Sequence, residues 1–455
     1  MSGNPADQVH VFYRSPAKLK AILRKTFHLK EFRENQLEAI NATFEGKDVF
    51  VVGDNGAGKS LCYQLPACLF HGVTVVISPT ISLILDQIQK LTKLGIVARK
   101  LLAAREDRDA KGIYEMLKEE APMIKLLYVT PEKMRMSDRL KMALQRLFQR
   151  GLLARFVIDE AQCLSLSDIK HFRKAFGKLI ELLEVFPGVP KIALSGPVRK
   201  STQKEILNQL HKTNSQLFMY FNQRNLKYAV LTTTTKSLET DCITWIMEHY
   251  PHDSGIVYCG RRVDCVSMAM GLNMAGLPAC SYHAGKNIAY SDREIAQNKW
   301  NRNECQVICA TAQSFGFGID KPDVRYVIHT FLPKSMENYY RETGRAGRDG
   351  NMSHCILFYS DSDYHQLHYV IRIDEFDDDE PENRELVDLG PMAEYCQNTA
   401  DCRRRQLLTY LRWGDIEANV CLPNSEAICD NCEGDNAAAA ATPRTNQQPF
   451  LKPAQ

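Results

Sequence analysis

The stretch DVFVVGDNGAGKSLCYQL, residues 48–65, decides the fold. It joins a β-branched apolar run to a Gly-rich turn and then to a helix-forming sequence, and Gly53 to Ser60 has the spacing G, four residues, G-K-S. Glycines let such a turn aim backbone N–H groups at phosphate oxygens, and the positive end of the following helix adds to the attraction. A lysine at position 59 reaches β and γ phosphates, and a hydroxyl at position 60 binds Mg²⁺. Gly56, Gly58, Lys59 and Ser60 are therefore candidate nucleotide ligands. A plain Gly-rich turn is the bland alternative, but strand before and helix after are the context a phosphate loop requires.

Outward from this stretch, short apolar runs recur as strand candidates at 48–53, 73–78, 125–130, 155–160 and 191–195, separated by helical patterns. Strands alternating with helices predict a parallel sheet covered on both faces, the α/β architecture. A second series, at 254–259, 306–311, 324–329 and 355–360, predicts a second, similar lobe, with a hinge near Asn222 to Leu226. An acidic run, 374–385, reads as a solvated linker or helix start, and residues 434–455 read as a disordered tail. The expected divisions are an extension over 1–18, lobes over 19–221 and 222–370, a Cys-rich module over 371–433, and the tail.

Two further groups carry chemistry. The strand RFVID ends in Asp159 and Glu160, which beside a phosphate loop are expected to hold Mg²⁺ and polarise the attacking water, respectively. In the second series RETGRAGRDG, 341–350, offers Arg345 and Arg348 near one face of a helix. Planar, permanently charged guanidinium groups suit the charge that spreads over a phosphoryl group in transfer, although a surface basic helix is the bland reading.

Composition narrows the class without choosing it. The 455 residues, 44% of them hydrophobic, exceed one compact core. No run of eighteen apolar residues and no signal-peptide pattern is found, so a soluble intracellular protein is expected. Fifteen scattered cysteines predict reduced thiols, some on a metal. The 57 basic and 54 acidic residues nearly balance, so charge alone makes no case for nucleic acid. Cys402, Cys421, Cys429 and Cys432, the last two in CDNC, can close a four-thiolate Zn²⁺ site of a structural kind, with Cys396 as a competitor.

Taken in order, FRENQLEAI (32–40), GAGKSLCYQLPA (56–67), VISP (76–79), LLYVTPEK (126–133), FVIDEA (156–161), YHAG (282–285), GIDKPDVR (318–325) and GRAGRDG (344–350) resemble the RecQ helicase family. The match runs from about Leu19 to Cys432. It implies two RecA-like lobes and a small helical zinc-binding subdomain, and a DNA-dependent ATPase moving 3′ to 5′ on single-stranded, forked or duplex DNA in the nucleus. By this resemblance Gln36 reads adenine with Arg33 beside it, Gly318 and Asp320 couple nucleotide to DNA, and Cys402 is preferred over Cys396. It also places Ser78, Thr130, Pro131 and Thr311 against the backbone of single-stranded DNA.

Several departures from the family lie between the ATP site and the DNA path. The box D-E-A-H reads D-E-A-Q with Gln162, and the loop 163–174 lacks the family's Trp and carries an extra residue. Motif III has become LSGPV, 194–198, where Pro197 removes a backbone donor. Motif V, 310–320, has one residue more, and Arg341 stands where relatives have Gln. The chain ends soon after Cys432, so no winged helix is expected and unwinding is expected to be weak. Chemistry is expected to be kept better than coupling, which leaves a helicase-derived scaffold as the alternative.

Overall fold

The computed structural model describes residues 15–33, 35–54, 56–102, 109–164, 179–210, 216–220, 224–234, 236–283, 290–312, 314–315, 321–374, 384–411, 421 and 427–434. The first lobe is built on seven strands: β1 (Val49–Gly53), β2 (Val73–Ile77), β3 (Ala98–Leu101), β4 (Leu126–Val129), β5 (Leu153–Ile158), β6 (Lys191–Ser195) and β7 (Gln216–Tyr220). Their spatial order is β3-β4-β2-β5-β6-β1-β7, and every printed pairing is parallel. Parallel strands need crossovers, and the helices that supply them cover both faces. Hence successive residues of β1 enter different cores: Phe50 and Val52 join one apolar cluster, Val49 and Val51 the other.

The second lobe repeats the plan with six strands: β8 (Leu226–Thr232), β9 (Ser254–Tyr258), β10 (Ala279–Tyr282), β11 (Val307–Ala310), β12 (Val324–His329) and β13 (Ser353–Tyr359). They lie in the order β10-β11-β9-β12-β13-β8, again parallel. All nine strands read from the sequence are present. The four it missed, β3, β7, β8 and β10, are the outer strands of the two sheets. Leu226, taken as hinge, is the first residue of β8, while residues 221–223 lie outside the described residues, as do 434–455 apart from Gly434.

The Cys-rich region contributes the helices Arg384–Gln397 and Arg403–Leu411. Leu389, Met392, Tyr395, Leu407 and Leu411 share one apolar cluster with Tyr339 and Leu357 of the second lobe, so this module is packed onto that lobe as one body. No described helix is long and apolar enough to cross a membrane.

Close packing of β9 fixes one position sharply. A Cβ on Gly255 would lie 1.9 Å from the Tyr326 ring, and the Gly255 carbonyl accepts from the Trp300 indole at 3.2 Å. Overfilling such a core costs about 1–3 kcal/mol. Gly255→Ala is expected to lower the urea midpoint by that order, read by intrinsic tryptophan fluorescence.

Candidate nucleotide and metal sites

The turn after β1 is shaped by two glycines with positive φ, Gly56 at 84° and Gly58 at 79°. Gly58 also lacks room for a side chain, since a Cβ there would meet the Gln36 amide nitrogen at 2.4 Å. The Gln36 amide donates to the Gly58 carbonyl at 3.1 Å and accepts from the Arg33 backbone N–H at 2.7 Å, and the Arg33 guanidinium donates to the Gly56 carbonyl. The pair expected to read adenine thus braces the loop. Lys59 donates to the carbonyls of Gly53 and Asp54, at 2.8 and 2.9 Å, and Ser60 immediately precedes the helix Leu61–Leu69, its side chain making no capping bond.

β5 ends on the acid pair, between β2 and β6 in the middle of the sheet. Asp159 accepts from the Glu160 N–H at 3.1 Å and from the Ser78 hydroxyl at 3.5 Å. Glu160 has φ of 52°, a left-handed backbone that a residue with a Cβ seldom adopts and that concentrates at functional sites. Gln162 donates to the Glu160 carboxylate, while its carbonyl oxygen accepts from the Ser195 hydroxyl at 2.9 Å and the Gly196 N–H at 3.2 Å. An amide serves here as both donor and acceptor, which a carboxylate or charged imidazole could not do.

From the second lobe, Arg341, Arg345 and Arg348 line the same cleft, a volume of about 2130 Å³ between the lobes. Arg348 reaches the phosphate loop, its Cδ 3.5 Å from where a Cβ on Gly56 would stand. Arg341 packs its Cδ 3.4 Å from the equivalent point on Gly196. Gly318, Asp320 and residues 165–174 of the altered loop lie outside the described residues. Three of the side chains expected on DNA are otherwise engaged: Ser78 is turned to Asp159, Thr130 caps the helix Pro131–Met136, and Thr311 bonds Ser314 at 2.5 Å.

The electrostatics of the cleft favour a cation. Burial, reinforced by Glu160 beside it and opposed by Lys59, pushes Asp159 up to about 7. Burial also lifts Asp54 to about 7, against the Tyr340 hydroxyl, Lys59 and Arg404, and its Oδ1 has no hydrogen-bond partner. Burial lowers Lys59, which Glu160, Asp54 and Asp159 counter. Carboxylates that ionise poorly when alone would ionise readily around Mg²⁺, so Asp159 and the Ser60 hydroxyl fit that ion. Sequence reading passed over Asp54, because its burial comes from the other lobe.

In the Cys-rich module the sulfurs of Cys402, Cys421, Cys429 and Cys432 lie within 4.8 Å of one another, with Cys402 3.4 Å from Cys421 and 3.9 Å from Cys429. Zn–S bonds of about 2.3 Å in a tetrahedron put sulfurs about 3.8 Å apart, so the donor set fits a closed Zn²⁺ site. Cys396 is buried in the apolar cluster instead.

A phosphate loop, an acid pair and trans-cleft arginines on two parallel-sheet lobes define a two-lobed P-loop fold of the RecA-like kind. Residues 33–206 match the DEAD/DEAH box helicase family, 239–350 the helicase conserved C-terminal domain, and 361–433 the RecQ zinc-binding family. The chain belongs to the RecQ helicase family. It is 48% identical over 435 residues to the RecQ-like DNA helicase BLM of Xenopus laevis, covering 95% of this chain and 32% of that protein. It is 38% identical to the ATP-dependent helicase SGS1 of Saccharomyces cerevisiae, over 90% of this chain and 28% of that one. The chain therefore spans about a third of the length of these relatives. The fold resembles the DUF1998 helicase MrfA bound to DNA and AMPPNP, with a TM-score of 0.60 and 19% identity over 84% of this chain and 57% of that one.

Asp54 sets a pH dependence whose sign is fixed. Its folded pKa of about 7 stands above the ordinary 3.8, so its contribution to stability is full below about pH 4 and is lost as pH rises through about 7. Asp54→Asn is expected to flatten the fall in unfolding free energy between about pH 5 and 7, by at most about 1.4 kcal/mol per pH unit, in urea titrations. Zinc removal by a chelator, or Cys429→Ser, is expected to unfold the module and expose residues 384–434 to limited proteolysis.

Proposed function

We propose that this chain is the motor core of an ATP-dependent 3′ to 5′ DNA helicase, a DNA-stimulated ATPase of the nucleus. The observation that carries the reading is the meeting of Arg348 with the phosphate loop at Gly56 across the cleft. Arginines supplied by one lobe to a phosphate loop on the other make hydrolysis depend on closure, and closure can advance a strand. The RecQ family match and a relative named as a DNA helicase support DNA as the track, and the 3′ to 5′ polarity is what the resemblance to the family implies.

In this reading the boundaries are 19–221 for the ATP-binding lobe, 222–370 for the second lobe and 371–433 for the zinc module. Lys59 moves from the carbonyls of Gly53 and Asp54 to the β and γ phosphates, and the backbone N–H groups at Gly56 and Gly58 cradle them. Ser60 and Asp159 would hold Mg²⁺, which when bound would supply positive charge to the phosphate oxygens. Glu160 aligns a water with the γ-phosphorus and accepts its proton, its carboxylate steered by Gln162. Arg345 and Arg348 stabilise the charge developing on the transferred group. Gln36 and Arg33 release the loop to pair with adenine, whose edge offers one donor and one acceptor to an amide. Gly318 and Asp320 carry the coupling to DNA. A scaffold without catalysis has no observation in its favour, since each described group that hydrolysis requires lines one cleft.

Steady-state ATP hydrolysis by the zinc-loaded chain, with and without single-stranded DNA, tests this. DNA should stimulate turnover, Glu160→Gln should lower kcat by about 10² or more while ATP still binds, and Arg348→Ala should lower it by about 10³. Turnover indifferent to DNA would overturn the motor reading.

A further inference from the structure

Motif III in this chain cannot signal through a backbone donor at position 197, because Pro197 has none. Two residues later the structure supplies a junction. The Arg199 N–H donates to Glu337 Oε1 at 2.9 Å, across the cleft, and the Arg199 guanidinium pairs with Asp388 of the zinc module. The Tyr410 hydroxyl, also from the module, donates to Glu337 Oε2 at 3.4 Å and is itself bonded to Arg199. One turn on, Gln203, wholly buried, donates from its amide to the carbonyls of Val198 and Leu411, both at 2.7 Å. The Arg199 to Asp388 pair is about three-quarters shielded from solvent, with side-chain exposures of 23% and 21%, unlike most surface ion pairs.

The two sides of this junction differ in what they carry. On the first lobe, Arg199 follows Ser195 and Gly196, which hold the Gln162 amide that steers Glu160. On the other side, Glu337 opens the helix Met336–Thr343, whose far end delivers Arg345 and Arg348. Asp388 and Tyr410 sit on the zinc module, which shares its core with that helix through Tyr339 and Tyr395, rings 5.5 Å apart. Any shift of Arg199 against that body therefore moves the water-polarising group relative to the arginines.

We propose that Arg199 is a positioning residue: with Glu337, Asp388 and Tyr410 it bolts the exit of motif III to the second lobe and the zinc module, and so sets the closure in which hydrolysis responds to DNA. This rests on the motor reading above. It gives the zinc module a part in coupling beyond its own folding, and it supplies a route around Pro197.

The test uses the full zinc-loaded chain, with ATP hydrolysis measured over a range of ATP concentrations with and without single-stranded DNA, alongside zinc content and melting temperature. Arg199→Ala should lower the DNA-stimulated kcat about tenfold while the KM for ATP and the DNA-free rate stay within about twofold. Asp388→Ala should do the same, and the double variant should be no worse than either single one, because the two side chains act as a unit. Glu337→Gln keeps an acceptor for the Arg199 N–H and should retain most of the stimulation that Glu337→Ala loses. If Arg199→Ala and Asp388→Ala are stimulated like the wild type, or lose both rates in step with melting temperature, the junction is overturned while the motor reading stands. A wild type indifferent to DNA overturns the motor reading and the junction with it.

Discussion

Arg348 stands against the phosphate loop at Gly56, its Cδ at van der Waals distance, 3.5 Å, from where a Cβ would lie. The φ of 84° at Gly56 is one that glycine adopts without strain, so the turn suited to wrapping phosphate is also the point where the opposite lobe makes contact. The remainder of the molecule serves this meeting. Two parallel sheets, buried on both faces, hold strand ends rigid enough that β1 and β5 present the loop and the acid pair from neighbouring positions around β6. The second sheet and the zinc module together form the body that carries the arginines to them.

Within the cleft, opposite charges are packed closely together. Asp54, Asp159 and Glu160 crowd around one lysine, and burial raises both aspartates to about 7. Lys59 rests on backbone carbonyls, and the Gln36 amide on the loop. Each of these contacts is one that Mg²⁺ or nucleotide would replace, so the cost of breaking them is recovered from stronger charged interactions in a site shielded from water. The left-handed backbone of Glu160 belongs to the same logic, since strain held by surrounding structure keeps the carboxylate aimed.

The departures from the family look different once placed in space. Gln162, standing where the family's box has His, bridges Glu160 to Ser195 and Gly196 through both ends of its amide. Arg341 packs where Gly196 leaves space. Pro197 lies two residues before a cross-lobe bond made by Arg199. Among the described residues, Gln162, Gly196, Arg199 and Arg341 therefore form a set of contacts between the acid pair and the second lobe. Whatever motif III lost in donors, its surroundings are tied to the helix Met336–Thr343 and to the zinc module.

Much of this was legible in the chain itself. The phosphate loop, the acid pair, the paired arginines and the CDNC pair are local patterns in which spacing along the chain fixes spacing in the fold, and the nine inner strands announce themselves as unbroken apolar runs because both their faces are buried. The four strands that escaped notice, β3, β7, β8 and β10, are sheet edges, paired on one side and so freer to carry Lys100, Gln216 or Lys227. What only the tertiary structure decided are the groups whose partners lie far along the chain: Asp54 under Tyr340, and Arg199 between Glu337 and Asp388. Burial and charge at these positions are created when the lobes meet, and no local pattern encodes a meeting between segments separated by more than a hundred residues.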